Sequence, residues 1–276
     1  MIRKLMELGI MVEPDAAKIL EGGNTDKMIE KILKMQPAPF LINAEAAKKL
    51  ITEPAQIKAL KKISEMKGMS IPDFTAAYSE RYSALQRLLL KNASLNSVSS
   101  VSSASGECRI IGMVKNGGKI IEDPSGEGAL VADIKLLDGD VVGAIGAAEN
   151  GAFKAREIIF PGLQLKEKKE AFGTVTAGKT AGAIRTDATA FYDANGTLIA
   201  VSHATLSKDE AVELLRRRHL TVPPKDFLEP QPDILVCNST ENFTENHKNV
   251  AIIGIKEGNV AEMDLNTREV SFKQCL

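Results

Sequence analysis

The sequence predicts a multidomain chain: an N-terminal all-α part, a small β-barrel, and a C-terminal block of mixed α and β character. Three observations carry this. Apolar residues recur at helical spacing through the first ninety positions. A Ser-rich stretch, "ASLNSVSSVSSASGE", follows over 93–107. Beyond it come short apolar runs broken by Gly, Asn and Pro, which read as strands.

Within the first part, "EPDAAKILEGG" opens a helix at Pro14 with acidic first-turn residues and ends it at Gly22-Gly23. "NTDKMIEKILKMQP" offers Thr25 as N-cap, with Met28, Ile29, Ile32 and Leu33 on one side. "NAEAAKKLI" and "EPAQIKALKKISEMKG" repeat the pattern, giving an N-terminal helical domain over 1–68. A further helix is expected over 69–92, with Tyr78, Tyr82, Leu85, Leu89 and Leu90 on one side. Residues 93–107 bury little surface and read as a flexible linker.

Residues 108–165 hold the barrel. "CRIIGMV", "KIIE", "EGALVADI", "DVVGAIGAA" and "AFKAREIIF" are short, closely spaced strands, and about fifty residues so arranged match an OB-fold. Asp123-Pro124-Ser125-Gly126 has the residues of a type I turn, with Pro second and Gly fourth. From 166 to 276 strands mix with one clear helix, "LSKDEAVELLRRRH", which opens on a capping box of Ser207 and Glu210.

Composition narrows the function classes. A net charge of −1 argues against a dominant nucleic-acid footprint, and aromatics are scarce at 4%, with no Trp. Cys108, Cys237 and Cys275 are isolated, which suggests neither a disulfide framework nor a zinc site. No apolar run reaches membrane-spanning length and no signal peptide is evident, so a soluble, cytoplasmic protein with no membrane partner is expected.

"GTVTAGKT" at 173–180 is a literal phosphate-loop pattern. Such a loop needs a buried strand before it and a helix after it, so that backbone N–H groups face the phosphates. The preceding "LQLKEKKEA" is too charged for that strand and the following "AGAIRTDATAF" too poor a helix, so the match reads as accidental. His203, His219 and His247 share no local ligand spacing and read as surface or capping residues. The "RRRH" run at 216–219 reads as a helix C-terminus favoured by the dipole rather than as a phosphate clamp. In and beside the barrel, Arg109, Lys115, Lys119, Lys135 and Lys154 are the candidate nucleic-acid-binding residues, with Arg156 nearby and only Phe153 and Phe160 available for stacking. The alternative is a barrel used for protein contacts.

Several segments, taken in order, resemble the small subunit of archaeal family-D DNA polymerase, a relative of the B-subunits of eukaryotic replicative polymerases. They are "ERYSALQRLLLKN", "IIGMV", "IEDPSG", "VVGAIG", "REIIFPGLQLKEKK", "ELLRRRHL" and "MDLNTREVSF". The resemblance implies an N-terminal helical domain, a linker, an OB-fold and a calcineurin-like phosphoesterase domain with 3′→5′ exonuclease activity, bound to a large polymerase subunit. This chain departs from that pattern at the metal motifs. Thr174 and Thr176 stand where the family has the Asp and His of Asp-x-His-x-Gly, and Ser239 and Glu241 stand where it has the two His of Gly-His-x-His. Two-metal hydrolysis needs ligands that fix both ions. The expectation is therefore a shortened, degenerate phosphoesterase-like domain over 166–276, with no catalytic residues, no metal and no cofactor. Its role would be that of a non-catalytic accessory or scaffolding subunit of archaeal DNA replication or repair. A polymerase large subunit or another replication protein would be its partner. The alternatives are a standalone single-strand-binding OB protein and, third, an exonuclease as in the full-length family.

Overall fold

The computed structural model describes residues 2–21, 28–29, 32–33, 39–51, 54–62, 70–167, 171, 173–220 and 228–275. These fall into two units that interleave along the sequence. One comprises Met1–Lys62, Lys166–Val201 and Asp233–Leu276, the other Ile63–Leu165 and Ser202–Pro232. The serial division expected from the sequence is thus replaced by one in which distant segments share a unit.

In the first unit, α1 (Ile2–Glu7), β1 (Met11–Val12), α2 (Pro14–Glu21), β2 (Leu41–Ile42) and α3 (Ala44–Ile51) surround a core of Leu5, Ile10, Ala16, Leu20, Met28, Ile32, Ile42 and Ala47. Asn43 caps α3 by accepting a 2.8 Å hydrogen bond from Ala46 N–H. Two expectations are corrected here. The segment is not all-α: the short apolar runs at 11–12 and 41–42 pair as parallel strands. The stretch expected as a fourth helix supplies instead β3 (Ile57–Lys62), antiparallel to β11 (Ala190–Ala194). Helical spacing of Ile57 and Leu60 is overridden by a ladder to a strand far along the chain, as tertiary pairing commonly overrides local propensity. Parts of the predicted second and fourth helices lie outside the described residues.

The rest of this unit is built on two sheets. One has the order β10 (Ile184–Arg185), β9 (Thr174–Gly178), β16 (Asn259–Asp264), β17 (Val270–Gln274). The other runs β14 (Phe243–His247), β15 (Val250–Lys256), β13 (Ile234–Ser239), β12 (Thr197–Thr205), β11, β3. Val175, Ala177, Ala261 and Met263 from the first share one buried cluster with Ile199, Val201, Ile234, Val236, Ile253 and Ile255 from the second. The β11–β12 hairpin closes through Asn195-Gly196, both at positive φ, the conformation a two-residue turn between twisted strands demands.

The second unit holds the barrel. β4 (Gly106–Lys115), β5 (Ile120–Asp123), β6 (Gly126–Val131), β8 (Ala152–Ile159) and β7 (Val141–Glu149) close on themselves in that order. β6 and β8 pair in parallel and the other neighbours are antiparallel. Ile110, Val114, Ile121, Leu130, Val142, Ala144 and Phe153 fill the interior, each alternating with outward neighbours along its strand. The acidic turn acts as a structural corner: Asp123 accepts from Ser125 N–H at 2.8 Å and from Val101 N–H at 2.9 Å. The outer face of β4 and β7 is covered by α4 (Ile71–Leu89), through Tyr82, Leu85 and Leu89 against Ile111, Met113 and Val141.

The Ser-rich stretch packs where a flexible linker was expected. It forms 3₁₀ turns at Ala93–Leu95 and Val101–Ser103. Leu95 is buried against Gly143, and Val101 and Ala104 pack on the barrel core. Composition misled here because two or three apolar side chains suffice to dock a short segment. The last helix, α5 (Lys208–Arg217), carries the predicted capping box: Ser207 Oγ accepts from Glu210 N–H while Glu210 accepts from Ser207 N–H. Among the described residues no helix is long and apolar enough to cross a membrane.

Candidate binding surface of the barrel and a buried charge cluster

The five basic residues singled out from the sequence do not form one groove. Arg109 and Lys115 lie six positions apart on β4, about 20 Å along the strand. Arg109 reaches Asn96 O at 3.4 Å, whereas Lys115 pairs with Glu122 and lies 5.7 Å from the Tyr78 ring centroid. Lys154 on β8 is 3.6 Å from Glu149, and Arg156 beside it forms a fork with Glu107. Lys119, Lys135 and Lys154 are exposed and belong to the part of the barrel formed by β5, β6, β8 and the loops beside them. Both aromatic residues available for stacking are taken. Phe153 is 4% exposed inside the barrel, and Phe160 is 8% exposed beneath the guanidinium groups of Arg216 and Arg217, 4.7 and 4.6 Å from its centroid.

The "RRRH" run does more than complement a helix dipole. Arg217, Arg218 and His219 are 8, 2 and 0% exposed, which corrects the expectation of a surface or capping histidine. Arg218 turns left-handed at the end of α5 and donates to Gly162 O at 2.6 Å and Leu228 O at 2.9 Å. Arg217 pairs with the fully buried Asp140, donates to Lys135 O at 2.9 Å and pairs with Glu213 one turn earlier at 2.8 Å. Asp140 also accepts from Leu137 N–H at 2.8 Å. Burial pushes the Asp140 carboxyl above its ordinary range, outweighing the Leu137 N–H and the Arg217 and Arg81 charges that oppose the shift.

His219 completes the cluster. Arg81 Nη2 on α4 lies 2.7 Å from His219 Nε2. A guanidinium only donates, so Nε2 accepts and the neutral ring carries its proton on Nδ1, a buried atom with no hydrogen-bond partner among the described residues. The 3.3 Å approach of Asp140 Oδ1 to Nε2 is therefore not an ion pair at neutral pH. Burial first, then the Arg81 and Arg217 charges, hold the imidazole well below its usual range. Sequence reasoning had no signal for this cluster, whose members stand 59 and 77 residues apart on separate elements.

The four positions that stand in place of metal ligands are not brought together. Val175 and Ala177 point into the core between the sheets, so Thr174 and Thr176 face the opposite side of β9. Val236 likewise points inward on β13, which turns Ser239 to that strand's other face; Ser239 is 4% exposed and its Oγ has no hydrogen-bond partner among the described residues. Glu241 is exposed just beyond. Among the described residues no three His, Cys, Asp or Glu side chains converge as a metal site. The phosphate-loop pattern at 173–180 forms strand β9 and a turn leading to β10, with no helix whose N–H groups converge on a ligand. No family model matches the chain, and no curated protein matches it.

Proposed function

We propose that the chain is a non-catalytic accessory protein of archaeal DNA replication or repair, akin to a shortened small subunit of family-D polymerase. Its barrel would be an OB-fold serving protein contacts, with a polymerase large subunit or another replication protein as partner. The observation that carries the reading is the barrel's connectivity. A strand order of first, second, third, fifth and fourth, closing on the first with the third and fifth parallel, is compatible with an OB-fold and supports that reading. Residues 166–276, which supply most of both sheets of the first unit, are read as the degenerate phosphoesterase-like remnant. Thr174, Thr176 and Ser239, set on strand faces turned away from the shared core, are not the carboxylate and imidazole ligands that two-metal hydrolysis uses, which supports the non-catalytic reading.

Protein contact is favoured over a direct grip on single strands because Phe153 and Phe160 are both buried, leaving no stacking platform in the barrel segment. Co-purification from native extract tests the reading. Retention of a replication protein on the tagged chain is the expected result; a pull-down without any would overturn it. A manganese-supplemented exonuclease assay is expected to be negative, and turnover would return the third reading.

A further inference from the structure

We infer that His219, Asp140 and Arg81 form a one-proton latch: a proton taken up by the His219–Asp140 pair releases Arg81 from the ring and loosens the first half of α4. The latch goes beyond the function proposed above and works whatever partner the chain binds. Two distances carry it. Arg81 Nη2 lies 2.7 Å from His219 Nε2, and Asp140 Oδ1 lies 3.3 Å from the same nitrogen. Nε2 has one lone pair, and in the neutral ring that lone pair accepts from Arg81. Asp140 Oδ1 has no hydrogen-bond partner among the described residues, so a proton from solvent entering the pair has an acceptor on either side. On Nε2 it makes an imidazolium that donates to Oδ1. On Oδ1 it makes a carboxylic acid that donates to Nε2. In both cases the lone pair is taken, and Arg81 loses its acceptor on the ring. With the proton on Nε2, two cations also face each other away from water.

Charged groups reach the ring from three directions. Arg81 comes from α4, Asp140 from just before β7 and Arg217 from the end of α5. Arg217 is paired with Asp140 and Glu213, so it stays in place when Arg81 leaves. Arg218 is turned away towards Gly162 O and Leu228 O. Tyr78, one turn before Arg81, is held in its protonated form by burial, and Asp138 acts on it in the same sense. Burial lowers the imidazole and raises the carboxyl, which brings the two sites towards sharing a single proton. What Arg81 secures is one half of a helix. Of the described side chains from Pro72 to Glu80, Tyr78 is half-buried and the rest are exposed. Arg81, 7% exposed, is the first of the described α4 residues to be buried. Past it the helix has other anchors. Tyr82 donates to Ile111 O at 3.1 Å, and Leu85 and Leu89 pack with Ile111, Met113 and Val141. Releasing Arg81 therefore loosens the helix before Tyr82 and leaves the remainder docked.

The test is amide hydrogen exchange of the full chain from about pH 8 down to about pH 4, corrected for the intrinsic rate. Nitrogen-15 spectra of the imidazole are recorded alongside in H203Q/H247Q, where His219 is the one ring left. Protection at residues 75–81 is expected to fall about tenfold with pH, the loss of one charge-assisted hydrogen bond, while residues 85–89 keep theirs. The ring is expected to carry its proton on Nδ1 at neutral pH and to change its Nε2 signal at the midpoint of that fall. His219→Gln keeps an acceptor for Arg81 and takes up no proton, so its α4 protection should not follow pH. Equal loss at 75–81 and 85–89, α4 protection constant across the range, or the same loss in His219→Gln would each overturn the latch. Should His219→Gln fail to fold, the two midpoints decide: coincidence of ring and helix supports the latch, and separation overturns it.

Discussion

Replacing Arg217 by Met should be among the most damaging single changes in the barrel unit. Met is a good helix former of similar length, so α5 itself is little affected. What is lost is the charge opposite Asp140, a carboxylate with no exposed surface. Removing one member of a buried pair typically costs about 3–5 kcal/mol, because the survivor is left charged and uncompensated. The lost hydrogen bond to Lys135 O adds about 1 kcal/mol. Set against a typical stability of about 5–15 kcal/mol, this is a large fraction. The loss should depend on pH with a definite sign. A carboxyl raised on folding favours the native state at low pH and opposes it as pH climbs from the unfolded value of 3.8 through the higher native one. Without Arg217 the native value rises further, so the deficit should shrink as pH falls from neutral. Asp140→Asn in the R217M background should recover part of it, since the stranded charge is then gone. Hydrogen exchange of residues 136–145 and 208–217 reads the local stability of the elements involved. Exchange in R217M within about 0.5 kcal/mol of wild type, or no recovery with Asp140→Asn, would refute the account.

Three further outcomes are expected. His219 is held neutral, so the stability it contributes is present above its unfolded value of 6.5 and lost as pH falls below it; in His219→Gln, whose amide oxygen still accepts from Arg81, denaturation midpoints should depend less on pH in that window. Gly143→Ala places a methyl 2.4 Å from Leu95 Cδ1 and should cost about 1–3 kcal/mol, Leu95→Ala about 2–5; the double variant should cost less than the sum, and strict additivity in urea unfolding would count against the packing described. Burial pushes the Cys237 thiol up to about 12, whereas Cys108 and Cys275 are only half-buried. A thiol reagent should therefore label those two in the native protein and Cys237 only on unfolding, as peptide mass mapping would reveal.

The parts of the fold legible in the sequence were those specified locally. The barrel strands follow from short apolar runs between turn residues, and Asn150-Gly151 and Asn195-Gly196 both take the positive φ their hairpins require. Ser207 and Glu210 announced the start of α5. What escaped was settled by long-range contacts. β3 reads as helix until it meets β11, more than 120 residues later. Leu95 and Val101 look like incidental apolar residues in a serine tract until a barrel is there to receive them. The candidate lysines were legible as a charge class, but only the sheet register sets Lys154 opposite Val131, apart from Lys115, already bound to Glu122. Arg81 on α4, Asp140 just before β7 and His219 just past α5 come from distant segments, and nothing in their local sequence marks them as neighbours.

The pairing of β3 with β11 also bears on how the chain emerges from the ribosome. When residues 57–62 leave the exit tunnel their partner does not yet exist, whereas every barrel strand lies within the 54 residues from Gly106 to Ile159. The barrel can close while β3 is still an orphan, since contacts of low sequence separation form first. During that wait β3 is protected by its own composition. Lys58 and Lys61 place charge along it, and its register to β11 is broken by a bulge at Leu60, both of which discourage pairing with a stranger's strand. Lys58→Val with Lys61→Val should therefore aggregate during synthesis far more than it destabilises the finished fold.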